Sequence, residues 1–201
     1  MNVNRQVARS ASTRAKLIKA ARTLFARRGY AGVATEEIVR RAGVTRGALY
    51  HQFQTKEDLF LAVYEQVERD LTERVDQRVL GLTSPFAAMR AGIRAFLEEC
   101  RAPEVQRIVL IDGPAVLGWE RWRAIDERYG MGLLRLPLRR LATAGRFDPT
   151  LVDGFAHMLL AALGEVALVA ARADDGVAAT REAQRAIDAL LERLLAPQGG
   201  A

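Results

Sequence analysis

The stretch Gly43-Val44-Thr45-Arg46-Gly47-Ala48-Leu49-Tyr50-His51-Gln52-Phe53 constrains this chain more than any other. Gly43 supplies a tight turn. Thr45 caps a very short helix, and Thr55-Lys56-Glu57-Asp58 fits a capping box that opens the next one. A helix this short cannot hold itself together in water, so its neighbours must brace it. Ala48, Leu49 and Phe53 are left to pack inward. Thr45, Arg46, Tyr50 and His51 face solvent, and Lys56 opens the following helix. These exposed types are the ones that touch DNA. The pattern is that of a helix-turn-helix recognition element, which presents its N-terminal residues to base edges in the major groove.

Charge supports an anionic partner. The chain has 201 residues and a formal net charge of +6. Residues 1–54 carry +9, with Glu36 and Glu37 the only acids, which leaves −3 for the rest. A basic N-terminal module therefore sits on a mildly acidic body. Half of the residues are hydrophobic, enough for a small domain plus a larger one. One cysteine, Cys100, excludes an internal disulfide and a cysteine zinc cluster. With His51 and His157 the only histidines, no metal site is expected, and no cofactor motif is present. The residues from Met1 to Ser12 lack an apolar signal core, and no window reads as an uninterrupted membrane span. The expectation is a soluble cytoplasmic protein with no membrane partner.

Helix signals dominate and strand signals are weak. Leu17, Ala20, Ala21, Leu24 and Phe25 form an amphipathic stripe that Gly29 ends. Thr35 is expected to cap a second helix, with Glu36 and Glu37 in its first turn and Ile38 inward. The helix that starts at Lys56 can run to about Leu80, a rod of nearly 40 Å at about 1.5 Å per residue. Ser84-Pro85 and Asp148-Pro149 each place a capping side chain before a proline at the first helical position. Pro103 and Asp112-Gly113-Pro114 are expected to break the chain. Trp119–Thr143 is helical in period, with Trp122, Ile125, Tyr129, Leu133 and Leu136 on one stripe, weakened by Gly130, Gly132 and Pro137. A nearly all-apolar helix covers Thr150–Arg172, and a last helix runs from Ala178 to Leu195. The end, Pro197-Gln198-Gly199-Gly200, is expected to fray.

Three spaced groups of residues carry a family resemblance: Ala20-Ala21-x-x-Leu24-Phe25-x-x-x-Gly29-Tyr30, then Thr35-x-x-Ile38-x-x-x-Ala42-Gly43-Val44, then Gly47-x-Leu49-Tyr50-x-x-Phe53-x-x-Lys56-x-x-Leu59. Over about Thr13–Phe60 the chain resembles the tetracycline-repressor (TetR/AcrR-like) transcriptional regulators. The resemblance implies an all-α homodimer. Residues 1–54 would form a three-helix, helix-turn-helix DNA-binding domain. Residues 55–201 would form a helical ligand-binding and dimerisation domain.

The candidate DNA-contact residues are Thr35, Thr45, Arg46, Gly47, Tyr50, His51 and Lys56. Arg46 can reach guanine O6 and N7 with two donors. Gly47 allows close approach to the groove. Thr35 and Thr45 are helix caps that can also bind phosphate. Tyr50 and His51 suit phosphate contacts that fix register, and Lys56 adds charge at a helix N-terminus. Arg5 and Arg9 read either as a minor-groove arm or as a free tail.

In the body, Phe60, Phe86, Met89, Phe96, Trp119, Trp122 and Tyr129 are candidates to line an apolar ligand cavity, with Asp112 as an orienting group. Each also reads as plain core, and Asp112 also reads as a turn former. Phe155, Met158, Leu159, Ala162, Val166, Ile187, Leu190 and Leu194 are the candidate dimer interface, because a helix apolar on all sides needs burial on all sides. The leading function is a DNA-binding repressor, acting as a dimer on a palindrome and released by a small, largely apolar effector. The alternative is a ligand-independent constitutive or architectural DNA binder. No nucleophile–base pair, phosphate loop or metal spacing supports an enzyme.

Overall fold

The structure is a computed structural model that describes residues 2–195, with side chains from Gln6 onward. Arg5 and the chain end expected to fray lie outside the described side chains. Among the described residues all regular structure is helical: α1 (Asn2–Arg28), α2 (Thr35–Ala42), α3 (Arg46–Gln52), α4 (Lys56–Val79), α5 (Pro85–Glu99), α6 (Pro103–Val105), a π-helical stretch (Gln106–Asp112), α7 (Gly113–Thr143), a 3-10 turn (Pro149–Leu151), α8 (Val152–Arg172) and α9 (Gly176–Leu195).

Local chemistry explains most of the helix ends. The capping box at α4 is complete: Asp58 N–H donates to Thr55 Oγ1 at 3.0 Å, and Thr55 N–H donates to Asp58 Oδ2 at 2.9 Å. Ser84 accepts from Ala87 N–H at 3.3 Å, and Asp148 accepts from Thr150 N–H at 2.8 Å. Thr35 departs from expectation. The cap of α2 is Ala34, and the Thr35 hydroxyl donates to Glu36 Oε2 at 3.2 Å instead. Thr35 is already the first helical residue, so its hydroxyl is not placed to accept from an unpaired N–H two or three residues ahead, as a capping oxygen does.

The expected break at Asp112-Gly113-Pro114 is not a break. Helical backbone continues through it by widening into the π stretch, where Gly113 N–H reaches the Ile108 carbonyl, and Pro114, which has no N–H to donate, follows at the start of α7. Non-helical backbone inside α7 falls at Gly118, with φ 72° and ψ 162°, just ahead of the segment expected from Trp119, and Pro137 lies inside the helix that follows. Only glycine enters that region without strain. The expected α7 stripe also shifts. Ile125, Met131, Leu134, Leu138 and Leu141 are buried, whereas Leu136 is 56% exposed.

The chain forms two compact units. The N-terminal unit contains residues 1–67 together with 103–122. Its core holds Leu17, Phe25, Ile38, Leu49, Leu59, Phe60 and Tyr64, all fully buried. Phe25, Tyr30, Phe60 and Tyr64 form one aromatic cluster, with centroid separations of 5.2 to 6.4 Å. The C-terminal unit contains residues 68–102 and 123–201. Its core includes Met89, Ile93, Leu97, Met131, Leu138, Leu159, Leu163, Ile187 and Leu191.

α8 has two apolar faces. Ala156, Leu159, Leu160, Leu163, Ala167 and Ala170 are buried inside the unit. Met158 and Val169, eleven residues apart on another stripe, are 67% and 59% exposed. The segment Pro149–Arg172 is also long and apolar enough, by length and composition, to cross a membrane. A core helix of a globular domain passes the same test, and one face of α8 is such a core.

Candidate nucleic-acid interface

Gly43 ends α2 with φ 64° and ψ 37°, and its N–H returns to the α2 carbonyls. This left-handed turn is open to glycine at little cost. It aims the chain into α3, where Thr45 Oγ1 accepts from Ala48 N–H at 3.2 Å. Leu49 is fully buried and Phe53 nearly so, which pins the short helix to the core. The opposite face is open: Thr45, Arg46, Gly47, Tyr50 and His51 are all exposed. A Cβ at Gly47 would meet no heavy atom within 4 Å, so the surface there is bare backbone.

Five of the seven expected DNA-contact residues therefore share one face. The Arg46 guanidinium lies 5.6 Å from the Tyr50 ring centroid and 3.6 Å from Glu36. At 70% side-chain exposure that ion pair is weak and open to exchange for a phosphate or a base. Glu36, on α2, is a partner that no local spacing announced.

Lys56 and Thr35 lie outside α3, on α4 and α2, and are half-buried. Lys56 Nζ donates to the Tyr30 carbonyl at 2.6 Å and sits 4.1 Å over the Tyr30 ring. Partial burial pulls its pKa below that of an ordinary lysine, against the opposing pull of the Asp112 charge. The lysine is thus engaged by its own protein.

The same unit holds a clasp that the sequence did not announce. Asp112, 8% exposed, accepts from Tyr30 N–H at 2.7 Å and pairs with Arg107 at 3.3 Å. Arg22 of α1 makes two 2.7 Å hydrogen bonds to the carboxylate of Glu104. Arg121 pairs with Glu57 at 2.8 Å. Residues 103–122 are thereby built into the unit that carries α3.

The expected ligand-lining residues divide between the units. Phe60 is fully buried in the aromatic core of the N-terminal unit. In the same unit, Asp112 is committed to Tyr30 and Arg107, and Trp119 is 69% exposed with Trp122 packed on it at 5.3 Å. Phe86, Met89, Phe96 and Tyr129 belong to the C-terminal unit. Met89 is buried; Phe86, Phe96 and Tyr129 are half-buried.

That unit also holds a polar cluster. Arg123 reaches Asp126 at 3.1 Å and His157 Nδ1 at 2.9 Å. Burial pushes the Asp126 carboxyl up to about 6, and Arg123 only partly counters it. Cys100 is buried and its thiol is pushed far up by burial, so it is not a reactive thiolate.

The expected dimer residues divide as well. Leu159 and Ile187 are buried within the unit, so they face this chain's own core. Met158, Leu190 and Leu194 are exposed, at 67%, 42% and 42%. Phe155, Ala162 and Val166 are half-buried, with Phe155 edge-on to Phe147 at 5.2 Å.

A short, braced helix with a basic, polar outer face, in an all-helical chain, defines a helix-turn-helix DNA-binding protein. Comparison with known proteins agrees. Residues 17–63 match the model of bacterial regulatory proteins of the tetR family, and residues 86–194 match the tetracyclin repressor-like C-terminal domain. The chain belongs to the TetR family of transcriptional regulators, which are not enzymes. The crystal structure of a TetR-family regulator from Pectobacterium atrosepticum is 33% identical, covers 94% of this chain and 97% of its own, and superposes with a TM-score of 0.82. The transcriptional repressor AcnR of Corynebacterium glutamicum is 28% identical over 157 residues, 74% of this chain and 82% of AcnR. The regulator RolR, solved with resorcinol, shares the fold at 23% identity, covering 97% of this chain and 98% of its own, with a TM-score of 0.71.

Proposed function

We propose that this regulator is a cytoplasmic repressor. It binds a palindromic operator as a homodimer and leaves it when a small, largely apolar effector binds the body. One observation carries the ligand-responsive part. Residues 103–122 lie within the span of the C-terminal family match, yet they are built into the unit that carries α3. A change in that segment bears directly on Tyr30 and α1, and through them on the support of α3. By task, residues 1–54 read DNA and 55–201 sense and dimerise; by packing, 103–122 belong with the reader.

Arg46 reads a base edge. Thr45, Gly47, Tyr50 and His51 set the helix against the duplex, and Thr35 and Lys56 add weaker backbone contacts. Phe86, Met89, Phe96 and Tyr129 line the effector site, with Arg123 and His157 as its polar contacts. RolR, of the same fold, holds an aromatic ligand, and AcnR is a repressor; both support the reading. Two α3 helices must lie about 34–36 Å apart to meet successive major grooves. The effector shifts the balance of states only by its difference in affinity between them.

The test begins with site selection from random duplexes. A palindromic sequence should emerge, and Arg46→Ala should cost about 1–3 kcal/mol and relax preference at one position per half-site. Apolar aromatic compounds are then screened for release of that duplex. Operator binding unmoved by any of them would leave a constitutive DNA binder.

A further inference from the structure

The family match begins at residue 17, but α1 begins at Asn2. α1 thus runs about 22 Å of helix ahead of the matched span, at about 1.5 Å per residue. This extension is tied to the recognition helix. Gln52 Nε2, at the end of α3, donates to Ser10 Oγ at 2.8 Å and lies 3.3 Å from His51 Nδ1. The Arg14 guanidinium sits 4.4 Å over the Phe53 ring. Ser10, Gln52 and His51 thus form a polar chain from the extension to the exposed face of α3.

No acidic residue occurs anywhere in α1. Gln6, Val7, Ala8 and Arg9 are exposed, as is Lys16. Arg9 and Lys16 stand seven residues apart, two helical turns along one stripe, beside Ser10 and not beneath it. No acid is within their helix to neutralise them, and the same stretch of α1 meets α3 through Ser10 on Gln52 and Arg14 on Phe53.

We infer that residues 2–16 are a second DNA-contact element: Arg9 and Lys16 bind the sugar-phosphate backbone beside the base pairs read by α3, and the Ser10–Gln52 bond holds the extension at that angle. This rests on the reading of α3 as the DNA-reading helix. Phosphate contacts add affinity and register but no sequence preference. The element is therefore expected to raise affinity for every duplex alike.

The experiment uses the full chain and a long random-sequence duplex, with affinity measured by fluorescence anisotropy across a salt series. The double variant Arg9→Gln, Lys16→Gln keeps good helix formers at both positions. Its log K against log salt slope should flatten by about 0.9 per lost phosphate contact, so by about two units per protomer. The control, Arg181→Gln with Arg185→Gln on exposed positions of α9, removes the same charge and should leave the slope unchanged. Hydroxyl-radical footprinting of the unaltered protein on its selected site should show backbone protection beyond the bases whose preference Arg46→Ala relaxes. Equal slopes in the variant, control and parent, or equal flattening in variant and control, would overturn the inference, as would a footprint confined to those bases. Absence of duplex binding by the parent protein would instead overturn the reading of α3.

Discussion

The two units solve the burial problem differently. In the N-terminal unit most large apolar side chains are enclosed, while Val7, Tyr50 and Trp119 are exposed. Its surface is basic, and its loops are fastened by long-range polar contacts at Tyr30, Asp112, Arg22 and Glu104. The C-terminal unit leaves Leu136, Leu151, Met158, Val169, Leu190 and Leu194 facing out. The first unit is closed on itself and prepared for a polyanion. The second presents, on α8 and α9, apolar area of the kind that a second copy of the chain would cover. On the proposed reading, one chain divides polar recognition from apolar assembly.

The assembly half of that contrast can be broken by one charge. Ala162 lies half-buried, four residues from the exposed Met158. Ala162→Glu would place an unpaired carboxylate in the seam. Light scattering should then report monomers, and operator affinity should fall by about a hundredfold or more, because a monomer meets one half-site. A well-behaved dimer with full affinity would move the interface off this face.

Removing the clasp tests the closure of the N-terminal unit. Asp112→Ala takes the acceptor from Tyr30 N–H and the anion from Arg107. Leaving such groups unpaired should cost about 1–3 kcal/mol. Both tryptophans, Trp119 and Trp122, lie in this unit, so urea unfolding followed by tryptophan fluorescence reports on it directly. Asp112→Asn keeps an oxygen acceptor and should lose less.

Acidity separates the units further. Asp126, in the C-terminal unit, has its pKa raised by burial to about 6. The fold therefore favours the protonated acid. Its contribution is fully present well below the ordinary carboxylate pKa and is lost as pH rises through about 6. Asp126→Asn should raise the melting temperature at pH 8 by a few degrees, roughly 2–4 °C per kcal/mol gained. At pH 5 the gain should shrink. Circular dichroism melts at both pH values measure the difference, and an equal gain at both would show that the carboxyl charge is not what costs stability.

The smallest effects compare two threonines. Thr45 caps α3, so Thr45→Ala should cost about 1 kcal/mol. Thr35 caps nothing, so Thr35→Ala should change stability by no more than about 0.5 kcal/mol. Equal losses would show that the Thr35 hydroxyl does structural work its single bond to Glu36 does not reveal.

Much of the fold was legible in the sequence because it is governed within a turn or two of helix. The caps at Thr45, Thr55, Ser84 and Asp148, the turn at Gly43 and the inward Leu49 each depend on neighbours a few residues away. The outward face of α3 followed from the same periodicity. The clasp did not, because Tyr30 meets Asp112, and Arg22 meets Glu104, across 82 residues of chain. Nothing in an Asp-Gly-Pro triplet tells a turn from a π-helical passage whose carboxylate reaches a distant amide.

By itself, then, the sequence determined an all-helical chain with a basic helix-turn-helix at one end, since periodicity, capping and charge are local or additive properties. Only the tertiary structure decided that Phe60 is core, that Lys56 turns to Tyr30, that residues 103–122 join the N-terminal unit, and which face of α8 is buried. An apolar face has the same composition whichever way it points. What it packs against depends on where distant elements arrive, and pairwise contacts over such separations leave no mark in the local spacing of residues.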